Sequence, residues 1–149
     1  MSAINEKHNF TFEFRPVTKL FEEQVRLHPD KCAAATSKES LTYSQLNEKA
    51  NRIANSLIEK GVGREVIVGV VLDRCCDFYA VRQGILKAGG AFAVAAPDYP
   101  DDRIQFIFED AGVPFIITTK DIADERKDLF SKLSAAVLLL EELLEHDNA

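Results

Sequence analysis

The chain has 149 residues, 46% of them hydrophobic and 28% charged, which is enough for one domain with a real core and ordinary for a globular protein in water. Its net charge of −6, with Lys and Arg scattered among Asp and Glu, argues against a nucleic-acid surface, because neutralising phosphates takes a basic patch. No apolar run approaches the ~20 residues needed to cross a bilayer, and MSAINEKHNF lacks the apolar stretch of a secretory signal, so the expected location is cytoplasmic, with no membrane partner.

Residues 1–14 read as a polar leader, and residues 15–149 as a single folded section. From Pro16 to Leu27, Val17, Leu20, Phe21 and Val25 form a helical stripe, ended by His28-Pro29 because a residue before proline is pushed out of the helical region. Cys32–Thr36 is a short apolar strand, and a turn at Lys38-Glu39-Ser40 leads to a second one near Leu41. Thr42 and Gln45 then have the spacing of a capping box, with Leu41 and Leu46 as its hydrophobic staple. The helix they open carries Leu46, Ala50, Ile53, Ala54, Leu57 and Ile58 on one face and stops at Gly61.

Val66–Leu72 is a nearly unbroken apolar run, as expected of a strand covered on both faces of a parallel sheet. Asp73 or its neighbours open a helix bearing Phe78, Val81, Ile85 and Ala88, which ends at Gly89-Gly90. Ala91–Ala96 is the next strand, and Pro100 sits in the first turn of a helix with Ile104, Ile107, Phe108 and Ala111 inward. Phe115–Thr118 is a strand. Ile122, Leu129, Phe130 and Leu133 mark a fifth helix, Ala136–Leu140 a last strand, and Glu141–Ala149 an acidic, fraying end. Short connections between alternating strands and helices imply an α/β fold: a mostly parallel sheet with helices on both faces, to which the Cys32–Leu41 hairpin adds an antiparallel edge.

The motif search is mostly negative. Cys32, Cys75 and Cys76 are an odd set with one adjacent pair, a poor disulfide framework, and His8, His28 and His146 give them no zinc-ligand spacing. They read as buried or idle thiols, with a reactive Cys75 or Cys76 beside Arg74 as the rival reading. Lys87-Ala88-Gly89-Gly90 lies after a helix and before a strand, the reverse of a phosphate loop, so its amides are spent in the helix stop. Among the loops after strands, only Thr118-Thr119-Lys120 has an anion-binding composition, and helix capping is the competing role. Paired acids such as Asp101-Asp102, Glu109-Asp110 and Glu141-Glu142 fall on helix ends and solvated faces, and those in a first turn complement the helix dipole. No residue is nominated as catalytic, cofactor-binding or metal-binding.

Three segments carry a family resemblance. LFEEQVRLHPDK (Leu20–Lys31), LTYSQLNEKANRIANSL (Leu41–Leu57) and Val68–Ala111, with LKAGGAF followed by Pro97, Tyr99, Pro100 and Arg103, resemble the opening of the amino-acid adenylation domains of nonribosomal peptide synthetases, which are AMP-binding, acyl-adenylate-forming ligases. The resemblance runs from about Val17 to Leu144. It implies that residues 15–149 are the N-terminal section of an adenylation domain, a scaffold of an ATP-dependent ligase that is inactive alone. It also implies ATP and Mg for the full-length enzyme, and as partners the remainder of the adenylation domain and a phosphopantetheinyl carrier protein. The family's phosphate loop, substrate pocket and catalytic lysine match no position here, so no site residue carries over. The chain also departs from the family at Phe92-Ala93-Val94-Ala95-Ala96, where a proline and an acid are usual. Two other readings stay open: a non-catalytic module that docks a synthetase or carrier protein, and a small α/β nucleotide or metabolite binder.

Overall fold

The computed structural model describes residues 14–147, so the leader expected at residues 1–14 lies outside the described residues except for Phe14. Thirteen elements follow in order: α1 (Val17–Leu27), β1 (Cys32–Ala35), β2 (Ser40–Thr42), α2 (Tyr43–Glu59), β3 (Ile67–Val71), α3 (Asp77–Lys87), β4 (Ala91–Ala95), α4 (Asp101–Ala111), β5 (Phe115–Thr118), α5 (Lys120–Glu125), α6 (Lys127–Lys132), β6 (Ala136–Leu139) and α7 (Leu140–Leu144). Strands β4-β3-β5-β6 make an all-parallel sheet in that order.

The alternation of side chains along a strand divides the core into two layers. Val68 and Val70 of β3, with Ile117 of β5, point to one face, where α2, α3 and α7 supply Ile53, Leu57, Val81, Ile85, Leu140 and Leu143. Val71, Ala95 and Ile116 point to the other, against Ile104 and Phe108 of α4, Ile122 of α5, and Leu129 and Phe130 of α6. The chain therefore steps from β3 to β4 over one face and from β4 back past β3 to β5 over the other. A change of face with each change of direction is what crossovers of a single hand require.

Helix α2 forms as its start signals demand. Thr42 accepts from the Gln45 amide at 3.2 Å, and the Gln45 side chain accepts from the Thr42 amide at 2.9 Å. Its buried face is Leu46, Ala50, Ile53, Ala54 and Leu57, while Ile58, expected on the same face, is half exposed. Helix α4 starts one residue after Pro100, which caps it from outside rather than sitting in its first turn, and ends on Gly112 in the left-handed region (φ 62°). Helix α3 begins at Asp77, four residues beyond Asp73.

Three expectations are corrected. The Cys32–Leu41 hairpin is a separate two-stranded antiparallel sheet, not an edge of the parallel one. Thr42 is both the last residue of β2 and the cap of α2, so the hairpin is carried out of the sheet plane on the helix that covers it. The fifth helix is two helices, broken at Arg126, where the backbone (φ −115°, ψ 33°) leaves helical geometry. The acidic end is ordered through α7, because Leu140 and Leu143 fill the core beside α2 and the Arg52 guanidinium donates to the carbonyls of Leu144 and His146, both at 3.3 Å. The Leu144 carbonyl is one of the orphan groups a helix end must satisfy.

Candidate functional site

In an open parallel sheet the ligand crevice lies at the carboxyl ends of the strands, where neighbouring loops leave for opposite faces. Here that point falls between β3, whose loop leads to α3 on one face, and β5, whose loop leads to α5 on the other. Both loops deliver a helix N-terminus, with its free amides and positive dipole end.

The chain's own carboxylates already sit at both. Glu39, from the turn of the small hairpin, accepts the Cys76 amide at 2.7 Å at the start of α3. Glu141, in the first turn of α7, accepts the Lys120 amide at the start of α5, at 3.1 and 3.3 Å to its two oxygens. The Ile122 amide is taken by the Thr119 hydroxyl at 3.4 Å, which makes Thr118-Thr119-Lys120 a helix cap. Asp101 and Asp102 occupy the first turn of α4. An incoming phosphate therefore meets a carboxylate at the starts of α3, α4 and α5.

Cys75 and Cys76 are poorly placed to ionise. Cys76 is buried, its Sγ 3.8 Å from the Glu39 carbonyl, and burial first, then the Glu39 charge, pushes its thiol above the ordinary range. Burial also raises Cys75, with Asp77 adding to the effect. Both shifts run against the rival reading of a reactive Cys75 or Cys76, because burial and nearby acids disfavour the thiolate. Cys32, expected to be buried or idle, is exposed. At neutral pH, iodoacetamide should label Cys32 in the native chain and reach Cys76 only on unfolding; peptide mapping by mass spectrometry reads the order.

The Gly89-Gly90 segment is a helix stop, as its position implied. The Gly89 amide bonds Leu86 and the Gly90 amide bonds Ile85, each at 3.0 Å, with Gly89 at φ 84°. Among the described residues no group of three or more His, Cys, Asp or Glu is placed to hold a metal ion, and no helix is long and apolar enough to cross a membrane.

One open space adjoins the crevice. A cleft of about 700 Å³ lies between the loops after β3 and β4. Leu72, Phe78, Val94 and Pro97 give it apolar walls, and Asp73, Arg74 and Asp98 lie around it. Its β4 side is held from behind: Arg126 donates to the Tyr99 carbonyl at 2.8 Å and pairs with Asp101 at 3.2 Å, while Arg103 stacks 4.3 Å from the Tyr99 ring centroid. Strand β4 is one of the sheet's two edges among the described residues, with no charge, proline or bulge in it, and Val94 is exposed. Sequence reasoning missed Glu39, Glu141 and Arg126. Glu39 read as a turn residue, Glu141 as part of a frayed end and Arg126 as the interior of a helix, and each acts across more than twenty residues of sequence.

Comparison with known proteins places this arrangement. The family model described as AMP-binding enzyme matches residues 21–148. The chain is 43% identical over 127 residues to zwittermicin A synthase ZmaJ of Bacillus cereus, covering 85% of this chain and 24% of that protein. It is 41% identical over 111 residues to bacitracin synthase 1 of Bacillus licheniformis, covering 74% of this chain and 2% of the synthase. Among solved structures, the nonribosomal peptide synthetase FmoA3 in its α-methyl-L-serine-AMP-bound form superposes with a TM-score of 0.80 at 32% identity, over 91% of this chain and 15% of that one. The N-terminal subdomain of Klebsiella oxytoca NpsA superposes at 0.77 with 20% identity, over 93% and 34%, a likeness of fold. The chain thus spans about a quarter or less of the relatives it matches in sequence.

Proposed function

Because the chain belongs to the AMP-binding enzyme family, we propose that it is the scaffold of an ATP-dependent amino-acid adenylating ligase and does not activate an amino acid by itself. Its sequence matches the N-terminal part of nonribosomal peptide synthetase adenylation domains, and its fold is that of their N-terminal subdomain. The observation that carries the proposal is the pair of carboxylates, Glu39 and Glu141, on the helix starts where a nucleotide would otherwise rest. ATP and Mg are then held by polypeptide that completes the domain, working in the cytoplasm, with a carrier protein receiving the product. The free edge of β4 and the cleft beside it, with its exposed Val94, are the surface that the completing polypeptide covers. An all-parallel sheet of this kind is normally buried on both faces, which gives such an edge strand a reason to stay apolar.

The experiment is ATP–pyrophosphate exchange in two settings. The isolated chain should show background exchange only. Residues 21–148 grafted into ZmaJ in place of the matching segment should support exchange within about tenfold of the parent, a barrier difference of ~1.4 kcal/mol. Exchange by the isolated chain, or a folded graft without exchange, contradicts the proposal.

A further inference from the structure

Strand β4 has one neighbour, β3, and its other side is open among the described residues. The Ala91 amide donates to the Val66 carbonyl at 2.9 Å, so Ala91 turns its backbone groups toward β3. Successive residues of a strand point these groups to opposite sides, which aims the amides and carbonyls of Phe92 and Val94 out of the sheet edge. The side chains of both lie toward α3, where Phe92 packs on the core of that face and Val94, 41% exposed, stands in the cleft with Phe78.

A cation stands beside this edge without an anion. The Arg82 guanidinium of α3 lies 5.1 Å from the Phe92 ring centroid and 5.7 Å from that of Phe78. Lys49 and Lys87 nearby are paired with Asp77 and Glu22, but Arg82 forms no hydrogen bond or ion pair among the described residues. The two rings hold the side chain in place while its N–H donors stay unclaimed.

We propose that the β4 edge takes up an extended segment of the polypeptide that completes the domain, paired as a further strand through Phe92 and Val94. That segment sets a carboxylate on Arg82 and apolar side chains in the cleft beside Val94. Three features, beyond the function proposed above on which this rests, set its chemistry. The bare backbone groups of Phe92 and Val94 need an extended partner. The cleft walls of Leu72, Phe78, Val94 and Pro97 need apolar side chains. Arg82 needs an acid, whose two oxygens match the guanidinium fork. A second copy is the poorer match, because its Ala91–Ala95 strand holds no acid and two five-residue edges fall short of the ~800 Å² per partner of a stable complex.

The test is an NMR titration of the 149-residue chain with a capped pentapeptide, valine–threonine–glutamate–threonine–valine, and with its glutamine counterpart. The glutamate peptide should shift the Phe92 and Val94 amides and the Arg82 guanidinium saturably in the millimolar range. The glutamine peptide should bind about tenfold more weakly. With an Arg82→Gln chain the two peptides should bind alike, the sign that the carboxylate meets this side chain. Equal binding of the two peptides to the unaltered chain, no saturable shift at Phe92 and Val94, or shifts that acetate alone reproduces overturns the proposal. So does a shift of the same amides on raising the chain's own concentration, which would assign the edge to a second copy. The titration contains no nucleotide, so its failure is read separately from that of the exchange experiment.

Discussion

Valine at position 84 is expected to abolish cooperative folding, and alanine there to destabilise the chain although alanine is the better helix former. Gly84 lies inside α3, where propensity alone favours alanine by ~1 kcal/mol. A Cβ at this position would sit 2.6 Å from Cγ2 and 2.8 Å from Cβ of Ile53, and 3.0 Å from the backbone carbonyl of Ala50. Two of those three atoms cannot move unless helix α2 moves, so the clash becomes a displacement of one helix from the other. Overpacking of this kind costs ~1–3 kcal/mol for one methyl and more for a branched side chain. The net for Gly84→Ala is then a loss of up to about 2 kcal/mol, against the sign of the propensity scale. Urea unfolding followed by circular dichroism reads it as a lower midpoint. A higher midpoint would show that α2 and α3 do not pack this closely.

The second large effect lies on the opposite face of the sheet. Phe108 of α4 is buried against β3, and the ring rests where Gly69 leaves the strand bare. Phe108→Ala should cost ~3–5 kcal/mol, the usual price of a buried aromatic. Gly69→Ala places a Cβ 3.0 Å from Cε1 of Phe108 and 3.0 Å from Cγ1 of Ile116, an overpacking loss of ~1–3 kcal/mol. The two substitutions touch the same space, so they should not add. In the Phe108→Ala background the loss from Gly69→Ala should shrink, leaving a coupling of ~0.5–3 kcal/mol in a double-mutant cycle. Additive losses would separate the ring from the glycine and contradict the packing of α4 on this face.

These two sites mark how far the sequence could be read. The elements were legible because each carries a local signal: the Thr42–Gln45 capping box, the Val66–Leu72 apolar run, the Gly61, Gly89 and Gly112 stops. The two-faced parallel sheet followed from their alternation, and the family resemblance from LTYSQL and LKAGGAF. Gly84 and Gly69 gave no such signal. A glycine inside a helix or strand reads as a weakness until the neighbour pressed against it is known. The break at Arg126 was hidden for a related reason, since its guanidinium turns to Tyr99 and Asp101, more than twenty residues back. The order of α7 depends on Leu140 and Leu143 meeting α2, a contact almost ninety residues away in sequence that no local pattern encodes.

At the candidate site the sequence identified the right loops and left their contents unread. Thr118-Thr119-Lys120 was recognised as lying after a strand, with capping as one of its roles, and it caps α5. That Glu39 and Glu141 occupy the neighbouring amides is a tertiary fact. Both are ordinary surface acids by composition, and only the folded hairpin and α7 bring them to the crevice. Burial first, and then the Glu39 charge, raises the Cys76 thiol, while burial raises Cys75 with Asp77 adding to it, so the α3 start does little to activate either thiol.

The account rests on that crevice being filled from within, and an NMR titration of the 149-residue chain with Mg-ATP measures it directly. The amides of Cys76, Asp77, Lys120 and Ile122 should keep their positions up to millimolar nucleotide, with only the small uniform drift of added salt. Saturable shifts at those four amides, centred on a nucleotide seated between β3 and β5, would contradict it.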